Sequence, residues 1–379
     1  MRYLQGSWLL VWGAFLFGQT PISPETPQKP YFQQHVSYQI RVALDPEKAL
    51  LHGYLRLTYE NRSPDTLPGL YIHLWPNAYK NRHTPYAIQQ RRSGKSTFHF
   101  AKAEERGYMD SLSFSVNGTA VQPLPAAKGP RPAPGYSLHL LKKAIDVIWL
   151  PFPEPLPPGG KVVVETPFRV KVPKTFSRLG HVGEQFQITQ WYPKPAVYDR
   201  KGWHPLPYLD IGEFYSEWGR YEVEITVPGT YVVGATGVLQ TESEIAWLRQ
   251  REAETRRWLF ENGPTPAWDT SSTAPPKTLR FVQDSVHDFA WFADPRYAVL
   301  SDTLTLPNGH QVACVALFRP ACAKSWKEGP RYIAEAVTNL SAWVGPYPYA
   351  HATAVEGALG AGGGMEYPMI TVIGGCQMD

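Results

Sequence analysis

The sequence predicts a mostly β protein. Pro and Gly are abundant, with 37 and 31 among 379 residues, and aromatic residues make up 13% of the chain. This composition favours short strands joined by rigid turns. Segments in which apolar and polar side chains alternate recur along the chain, a pattern typical of half-buried strands. A hydrophobic fraction of 43% is enough for a real core.

The N-terminal segment is typical of a secretory signal peptide. Met1-Arg2 is followed by an apolar stretch at residues 8–17 and then by a Pro-rich segment. We therefore assign residues 1–20 to a signal peptide and expect an exported protein that is periplasmic, cell-surface or secreted. The apolar stretch is short for a membrane span, so we expect no stable span after cleavage. An uncleaved N-terminal anchor is the alternative.

Strand patterns dominate the first three quarters of the chain. Residues 36–44 and 55–59 alternate on either side of an Asp45-Pro46 turn and predict an antiparallel pair. The other predicted strands are residues 70–74, 147–150, 161–166, 168–172, 221–227 and 278–283. Together they suggest a β-sandwich or a saddle-shaped sheet.

Two helices are predicted. The first follows a capping-box pattern at Thr241-Glu242-Ser243-Glu244 and should be a surface excursion. The second begins near Pro330 and should pack into a core. Its apolar residues at helical spacing are Ile333, Ala336, Val337, Leu340 and Val344.

The order of elements changes near Ala298, from strands alone to a strand pair, a helix and a Gly-rich strand. We place a domain boundary there, which gives domains at 30–298 and 299–379.

Charge and cysteine content narrow the classes of partner. A formal charge of +4 without a long basic run argues against nucleic acid. The three cysteines are too few for a disulfide scaffold. Cys314 and Cys322 could bridge two arms of a hairpin, or both could be small buried hydrophobic residues.

The most informative candidate site is Gly363-Gly364-Met365-Glu366-Tyr367. Glycines allow a ligand backbone to approach closely, and a carboxylate at that point can bind a cation or an amine. The alternative is a Gly-rich turn into a strand with a solvated Glu.

Two further segments, residues 73–80 and 190–199, are dense in aromatic residues, Pro and amides. Each could form a substrate shelf, although buried aromatic packing at strand ends is the commoner role. No Gly-x-Ser-x-Gly motif occurs, so a nucleophilic hydrolase has little support. None of the eleven histidines is followed by Glu, so the sequence lacks a His-Glu-x-x-His zinc helix.

These motifs together resemble those of the membrane alanyl aminopeptidase family, the gluzincin zinc metallopeptidases, and particularly its exported bacterial members. Gly363-Gly364-Met365-Glu366-Tyr367 is similar to the family's Gly-Ala-Met-Glu-Asn exopeptidase motif. The predicted second helix and the Gly-Pro-Tyr turn after it match the family's order of elements. The segment that begins at Thr189-Gln190 resembles the strand end that faces the substrate in the family.

The resemblance implies a saddle-like β-sandwich followed by the α/β start of a thermolysin-like catalytic domain, incomplete in this sequence. It implies that Glu366 binds the free α-amine of a peptide substrate and that Gly363, Gly364 and Met365 border the peptide. Gln190 belongs to the same substrate-binding set. Tyr192 stands where the family has a Gln or Glu that also binds the amine, so we expect altered amine recognition.

The family's cofactor is zinc, but its ligands are not present in this chain, which ends before the zinc motif. We therefore expect the N-terminal part of an exported zinc-dependent aminopeptidase-like enzyme that recognises the free N-terminus of peptides and is inactive alone. Its expected partners are a peptide substrate and a possible C-terminal catalytic half. The alternative is a non-catalytic exported module that binds peptides or proteins.

Overall fold

The computed structural model describes residues 30–135, 138–358 and 363–376, so the predicted signal peptide lies outside the described residues. The predicted fold class is confirmed, because the protein is mostly β, with 40% strand and 20% helix distributed over several sheets. Within the described ranges, none of the helices has both the length and the apolar character needed to cross a membrane.

The strands of the described residues are, in chain order, β1 (His35–Asp45), β2 (Leu50–Glu60), β3 (Leu67–His73), β4 (Tyr108–Asp110), β5 (Ser115–Val116), β6 (Thr119–Ala120), β7 (Leu124–Pro125), β8 (Val147–Leu156), β9 (Lys161–Lys171), β10 (Gly180–Val182), β11 (Gln185–Ile188), β12 (Lys194–Pro195), β13 (Tyr198–Asp199), β14 (Gly202–Trp203), β15 (Gly219–Pro228), β16 (Val232–Ala235), β17 (Val238–Leu239), β18 (Pro276–Val286), β19 (Trp291–Asp294), β20 (Ala298–Thr305), β21 (Gln311–Phe318), β22 (His351–Gly357), β23 (Gly364–Tyr367) and β24 (Ile370–Gly374).

The α-helices of the same residues are α1 (Pro85–Arg92), α2 (Thr97–Phe100), α3 (Leu138–Lys143), α4 (Glu242–Phe260), α5 (Ala323–Trp326) and α6 (Gly329–Val344). Short 3-10 turns occur at Trp75–Tyr79, Ala103–Glu105, Ala126–Lys128 and Pro320–Cys322.

The largest sheet is built around β1, in the order β17-β18-β15-β1-β2-β9-β5-β6, with β4 also paired to β9. β1 pairs antiparallel with β2, as predicted, and parallel with β15. The apolar residues of the β1 alternation are all buried. A side-chain period of two puts them on one face, which becomes the main core.

The two strands predicted at residues 161–166 and 168–172 are one continuous strand, β9. Pro167 does not break it. The proline lies between the stretch of β9 that pairs with β5 and the stretch that pairs with β4, where the outer neighbour is interrupted. A missing backbone N–H is tolerated at such an edge.

Residues from Ala298 onward form a five-stranded sheet in the order β20-β21-β22-β24-β23. The predicted order of a strand pair, a helix and a Gly-rich strand is confirmed. β21 and β22 run parallel, as do β22 and β24, and α6 connects β21 to β22 across one face of the sheet.

The other face of the five-stranded sheet packs against a smaller sheet, β10-β11-β19-β16. The contact is close. A Cβ at Gly234 would lie 2.5 Å from Leu317 Cδ1, and a Cβ at Gly357 would lie 3.0 Å from Gln187 Oε1 of β11. Glycine at these positions therefore lets the two layers approach.

The first predicted helix lies at the surface, as expected, but one of its faces is docked on the protein. α4 packs against β20, and Arg251 and Thr255 on its inner face are buried. Arg251 donates to the carbonyls of Tyr297 and Pro295, at 2.7 and 2.5 Å. The many charges that suggested a surface helix therefore include one that satisfies buried carbonyl groups.

The prediction that α6 packs into a core holds only for part of the helix. Val337 is buried, but Leu340, Trp343 and Val344 are 53, 77 and 84% exposed. The helix lies against β20, β21 and β22 and packs there through Ile333 and Val337. Its last apolar residues extend beyond the cover that the described residues provide.

The cysteines pair differently from the predicted alternatives. Cys322 is joined to Cys376, 54 residues later, and Cys314 is a buried free thiol. A Cys314–Cys322 bridge is therefore wrong. Nothing in the sequence indicates that Cys376, which follows β24, lies beside Cys322 at the start of α5.

We expect reduction of this disulfide to lower the free energy of unfolding by up to about 4 kcal/mol, from the entropy of closing a loop of 54 residues. The measurement is urea unfolding with and without a reductant. The matched control is Cys376→Ser, on which the reductant should have no effect. Unfolded, non-reduced protein should titrate with one free thiol, and three free thiols would contradict the pairing.

Candidate functional site

The Gly-Gly-Met-Glu-Tyr segment forms β23, the edge strand of the five-stranded sheet. β23 and β24 are joined by a two-residue turn in which Met369 has a φ of 66°. Gly363 precedes the strand with a φ of 77°, a conformation that glycine adopts without strain. The turn at Met369 and the glycine before β23 thus form a short strand at the edge of the sheet.

The hydrogen-bond pattern shows which backbone groups face this open edge. The Gly374 N–H donates to the Gly363 carbonyl at 2.7 Å, and these residues are opposite each other in the antiparallel pair. Bonded and non-bonded pairs alternate in such a ladder. Met365 and Tyr367 therefore bond to β24, whereas the N–H and C=O groups of Gly364 and Glu366 face outward.

Side chains of β23 alternate between two environments. Met365 and Tyr367 pack against the smaller sheet, where the Tyr367 and Phe292 ring centroids are 6.2 Å apart. The Arg178 Nε atom lies 3.1 Å from Met365 Sδ. Glu366 points to the opposite face and is exposed. The strand is thus held from one side and presents its carboxylate on the other.

A groove of about 750 Å³ lies beside Glu366. One wall comes from α6, through Ile333, Ala336 and Leu340, and another comes from the sheet, through Ala354 and Ile373. These side chains are apolar, so the groove favours apolar groups, and Glu366 is one of two carboxylates that line it.

Thr189 lies next to β23. It follows β11 and is fully buried. Burial raises the pKa of the Tyr367 hydroxyl, and the neighbouring Thr189 side chain partly opposes that rise. The fold therefore brings together two segments that the sequence separates by more than 170 positions.

Gln190 and Tyr192 do not reach the groove surface. Gln190 is 4% exposed and Tyr192 is 2% exposed. Gln190 Nε2 donates to one oxygen of Asp288, and the Tyr192 hydroxyl donates to the other at 2.8 Å. The Lys194 ammonium lies 2.9 Å from that second oxygen. A role for Gln190 and Tyr192 in binding substrate stays a prediction.

Asp288 is the centre of this buried polar cluster. It is 3% exposed, and its carboxylate also accepts a hydrogen bond from the Phe289 N–H at 2.8 Å. Burial lowers the pKa of Lys194, and the Asp288 carboxylate opposes that shift. The cluster fixes the turn at Gln190, which has a φ of 50°.

The two aromatic-rich segments are mainly packing elements. His73 stacks on Trp75 with ring centroids 4.4 Å apart, and Lys194 lies over the same indole ring at 5.7 Å. All three side chains are buried, as are Trp191 and Tyr192. Burial lowers the pKa of His73 to about 3, with a further contribution from Lys194.

Glu356, at the end of β22, is a charged residue that the sequence reasoning missed. It is fully buried, and Arg319 donates to both of its oxygens at 2.8 and 2.5 Å. Gln185 and Tyr297 donate to its backbone carbonyl. The only signal in the sequence was that Arg319 and Glu356 each lie among apolar residues, one just after β21 and the other near the end of β22.

The described residues do not fit the zinc site of the family resemblance. One group of three potential ligands occurs among them, Cys322, Glu356 and Cys376, with ligand atoms within 4.8 Å of one another. Its sulfurs are joined as a disulfide, and its carboxylate is paired with Arg319. A catalytic zinc of the gluzincin type needs histidine ligands in place of these groups.

The fold is similar to solved structures of M1 zinc metallopeptidases. The enzyme from Deinococcus radiodurans aligns with 91% of this chain and 60% of its own length, at a TM-score of 0.51 and 14% identity. A two-domain M1 zinc metallopeptidase variant bound to L-arginine gives the same values. A variant from Deinococcus radiodurans bound to a Tyr-Ser-Ala substrate aligns with 90% and 60%, with a TM-score of 0.51.

This likeness establishes the fold alone, and the chain spans about 60% of the length of the structures it matches. No protein-family model matches the chain, and no curated protein matches it in sequence.

We expect Asp288→Ala to lower the free energy of unfolding by about 3–5 kcal/mol, because it leaves the buried Lys194 ammonium without its counter-charge. Chemical denaturation measures this. The control is Asp284→Ala, which removes an exposed ion pair with Arg220 and should cost less than about 1 kcal/mol. Adding Lys194→Met to Asp288→Ala should recover part of the loss, and equal effects of the two alanine variants would contradict the cluster's role.

The buried His73 makes stability depend on pH. Its pKa of about 3 in the folded state lies below the ordinary value of 6.5, so only the unfolded state takes up the proton between these pH values. The stability of the wild type relative to His73→Phe should therefore fall by about 1.4 kcal/mol per unit as pH drops from 6 to 4. Leu70→Ala on the same strand is the control, with a pH-independent cost. A stability difference between wild type and His73→Phe that does not change between pH 6 and pH 4 would refute the assignment.

Proposed function

We propose that this chain is the peptide-recognition part of an exported M1-like aminopeptidase and that it binds peptides by their free N-terminus. The observation that carries the proposal is Glu366. It is an exposed carboxylate on an edge strand whose outward backbone groups have no partner among the described residues, and it lies beside an apolar groove. This combination suits an extended peptide with a positive end.

In the proposed complex the peptide pairs with β23 as an added strand. The outward groups of Gly364 and Glu366 supply backbone hydrogen bonds, and the absence of a side chain at Gly363 and Gly364 lets the peptide backbone approach. Glu366 accepts a charge-assisted hydrogen bond from the α-amine, which sets the register from the first residue. The groove beside α6 receives apolar side chains of the peptide.

Gln190 and Tyr192 act from beneath the site in this proposal. Both bind Asp288 in the buried cluster, which fixes the chain next to Thr189, and Thr189 contacts Tyr367 of β23. The Tyr at position 192 leaves its hydroxyl engaged inside the protein, so Glu366 bears most of the amine recognition.

Hydrolysis belongs to residues outside the described chain. Zinc would supply the activated water in a peptidase of this kind, but the described residues do not fit its ligand set. We propose that a catalytic half docks on the exposed end of α6, at Leu340, Trp343 and Val344, because these apolar side chains have no cover among the described residues. About 40% of the matched M1 structure lies outside its alignment with this chain, which leaves room for such a half.

Export is part of the proposal. The signal-peptide pattern at residues 1–20 supports it, and so does the Cys322–Cys376 disulfide, since disulfides persist in oxidising compartments.

The test is binding of Tyr-Ser-Ala, with a free or acetylated N-terminus, measured by calorimetry. We expect acetylation to weaken binding tenfold or more, and Glu366→Gln to cause a similar loss, because either change removes a charge-assisted hydrogen bond. Acetylation should have little further effect on Glu366→Gln. The control is Glu335→Gln, an exposed carboxylate on α6 outside the groove.

Two results would overturn the proposal: equal affinity for free and acetylated peptide, or an unchanged affinity in Glu366→Gln. Hydrolysis of the peptide by the purified chain with bound zinc would contradict the expectation that the chain is inactive alone.

A free-standing binding module is the second candidate, and the exposed edge of β23 favours it. This candidate would be supported if the purified chain were monodisperse, bound peptide and did not associate with a catalytic half.

A further inference from the structure

A smaller cavity, with two carboxylates in its lining, lies near the groove of the proposed peptide site. It has a volume of about 300 Å³ and is bordered by the segment at residues 31–33, by residues 197–201 and by residues 215–218. Trp218 borders this cavity and also the large groove, so the two are neighbours.

The wall of the cavity holds two buried polar groups without partners among the described residues. Glu217 is 4% exposed, and its Oε1 atom has no hydrogen-bond partner there. Ser216 is 8% exposed, and its Oγ atom likewise has none. Such groups are costly unless a ligand or water satisfies them, so they mark a place where a hydrogen-bond donor belongs.

The neighbouring carboxylate, Asp199, is already satisfied. It accepts hydrogen bonds from the Lys201 N–H at 2.8 Å and from the Tyr215 hydroxyl at 3.4 Å, and His204 Nε2 lies 2.8 Å from it. Burial raises the pKa of Glu217 to about 8, Asp199 adds to the rise, and a backbone hydrogen bond from Tyr198 opposes it. A positive charge in the cavity would stabilise the Glu217 carboxylate.

The remaining walls are aromatic. Tyr31, Tyr215 and Trp218 line the cavity and are 79, 48 and 45% exposed. Aromatic faces attract cations, with organic ammonium groups as frequent ligands. Arg200 and Lys201 also border the cavity, but both are exposed to solvent. The described residues here form no group of three metal ligands, which disfavours a metal ion.

We propose that this cavity binds a primary ammonium group on a short apolar stem. Its N–H donors satisfy Glu217 Oε1 and Ser216 Oγ, and the three aromatic rings enclose its positive charge. A primary amine fits better than a quaternary one, because the two buried acceptors need donors. The site would give the protein a second recognition point for an amine or for a lysine side chain, apart from Glu366.

The test is calorimetric titration with n-butylammonium chloride in an amine-free buffer. We expect saturable binding with a dissociation constant on the order of 1 mM, which is plausible for five heavy atoms. Neutral n-butanol should not bind. Glu217→Gln should weaken binding tenfold or more, and the exposed Tyr31→Ala, which does not threaten folding, should weaken it about twofold to fivefold.

Two control variants test whether binding occurs in this cavity and not elsewhere on the protein. Glu224→Gln removes an exposed carboxylate on β15 and should leave the affinity unchanged. Binding should also persist in Glu366→Gln, which separates this cavity from the proposed peptide site. Equal binding of n-butanol, an unchanged affinity in both Glu217→Gln and Tyr31→Ala, or loss of binding in Glu366→Gln would overturn the proposal.

Discussion

The organisation of the chain before Ala298 depends on the hydrogen bonds and the ion pair made by the buried carboxylate of Asp288. An isolated charge in a protein interior is unfavourable by many kcal/mol, so the chain must surround it with donors. Here those donors come from the turn after β11, from β12 and from the residue that follows Asp288 itself. Meeting one electrostatic requirement thus fixes the relative positions of segments that are far apart in the sequence.

The second constraint is the contact between the smaller sheet and the five-stranded sheet. Glycines at Gly234 and Gly357 allow the layers to approach, and the paired charges of Glu356 and Arg319 close one end of the contact. β23 is packed on only one face by this arrangement, through Met365 and Tyr367. Within the part of the chain that the structure describes, the outer edge of the strand has no partner strand and Glu366 on its opposite face is exposed, which gives the candidate site its geometry.

Periodicity in the sequence predicted the longer strands of the largest sheet, because side chains that alternate in polarity can bury only one face. It also predicted the order of elements after Ala298. It did not predict the short strands β4–β7 and β10–β14. Periodicity did not predict how much of each helix is buried. The charges of α4 concealed an Arg251 that satisfies carbonyl groups of another segment, and the apolar stripe of α6 gave no indication of how far its cover extends. Asp288, Glu356 and the partner of Cys376 depend on tertiary contacts that no local pattern encodes.

The disulfide after β24 gives neighbouring strands unequal resistance to local opening. β24 has a partner strand on each side and is followed by Cys376, which is bonded to Cys322, whereas β23 has one partner strand. Amide hydrogens of β23 can therefore exchange through fraying at the sheet edge, while those of β24 need a larger opening. A peptide that pairs with β23 would turn this edge into an interior position, so slowed exchange at Gly364 and Glu366 would report occupancy without any label on the ligand.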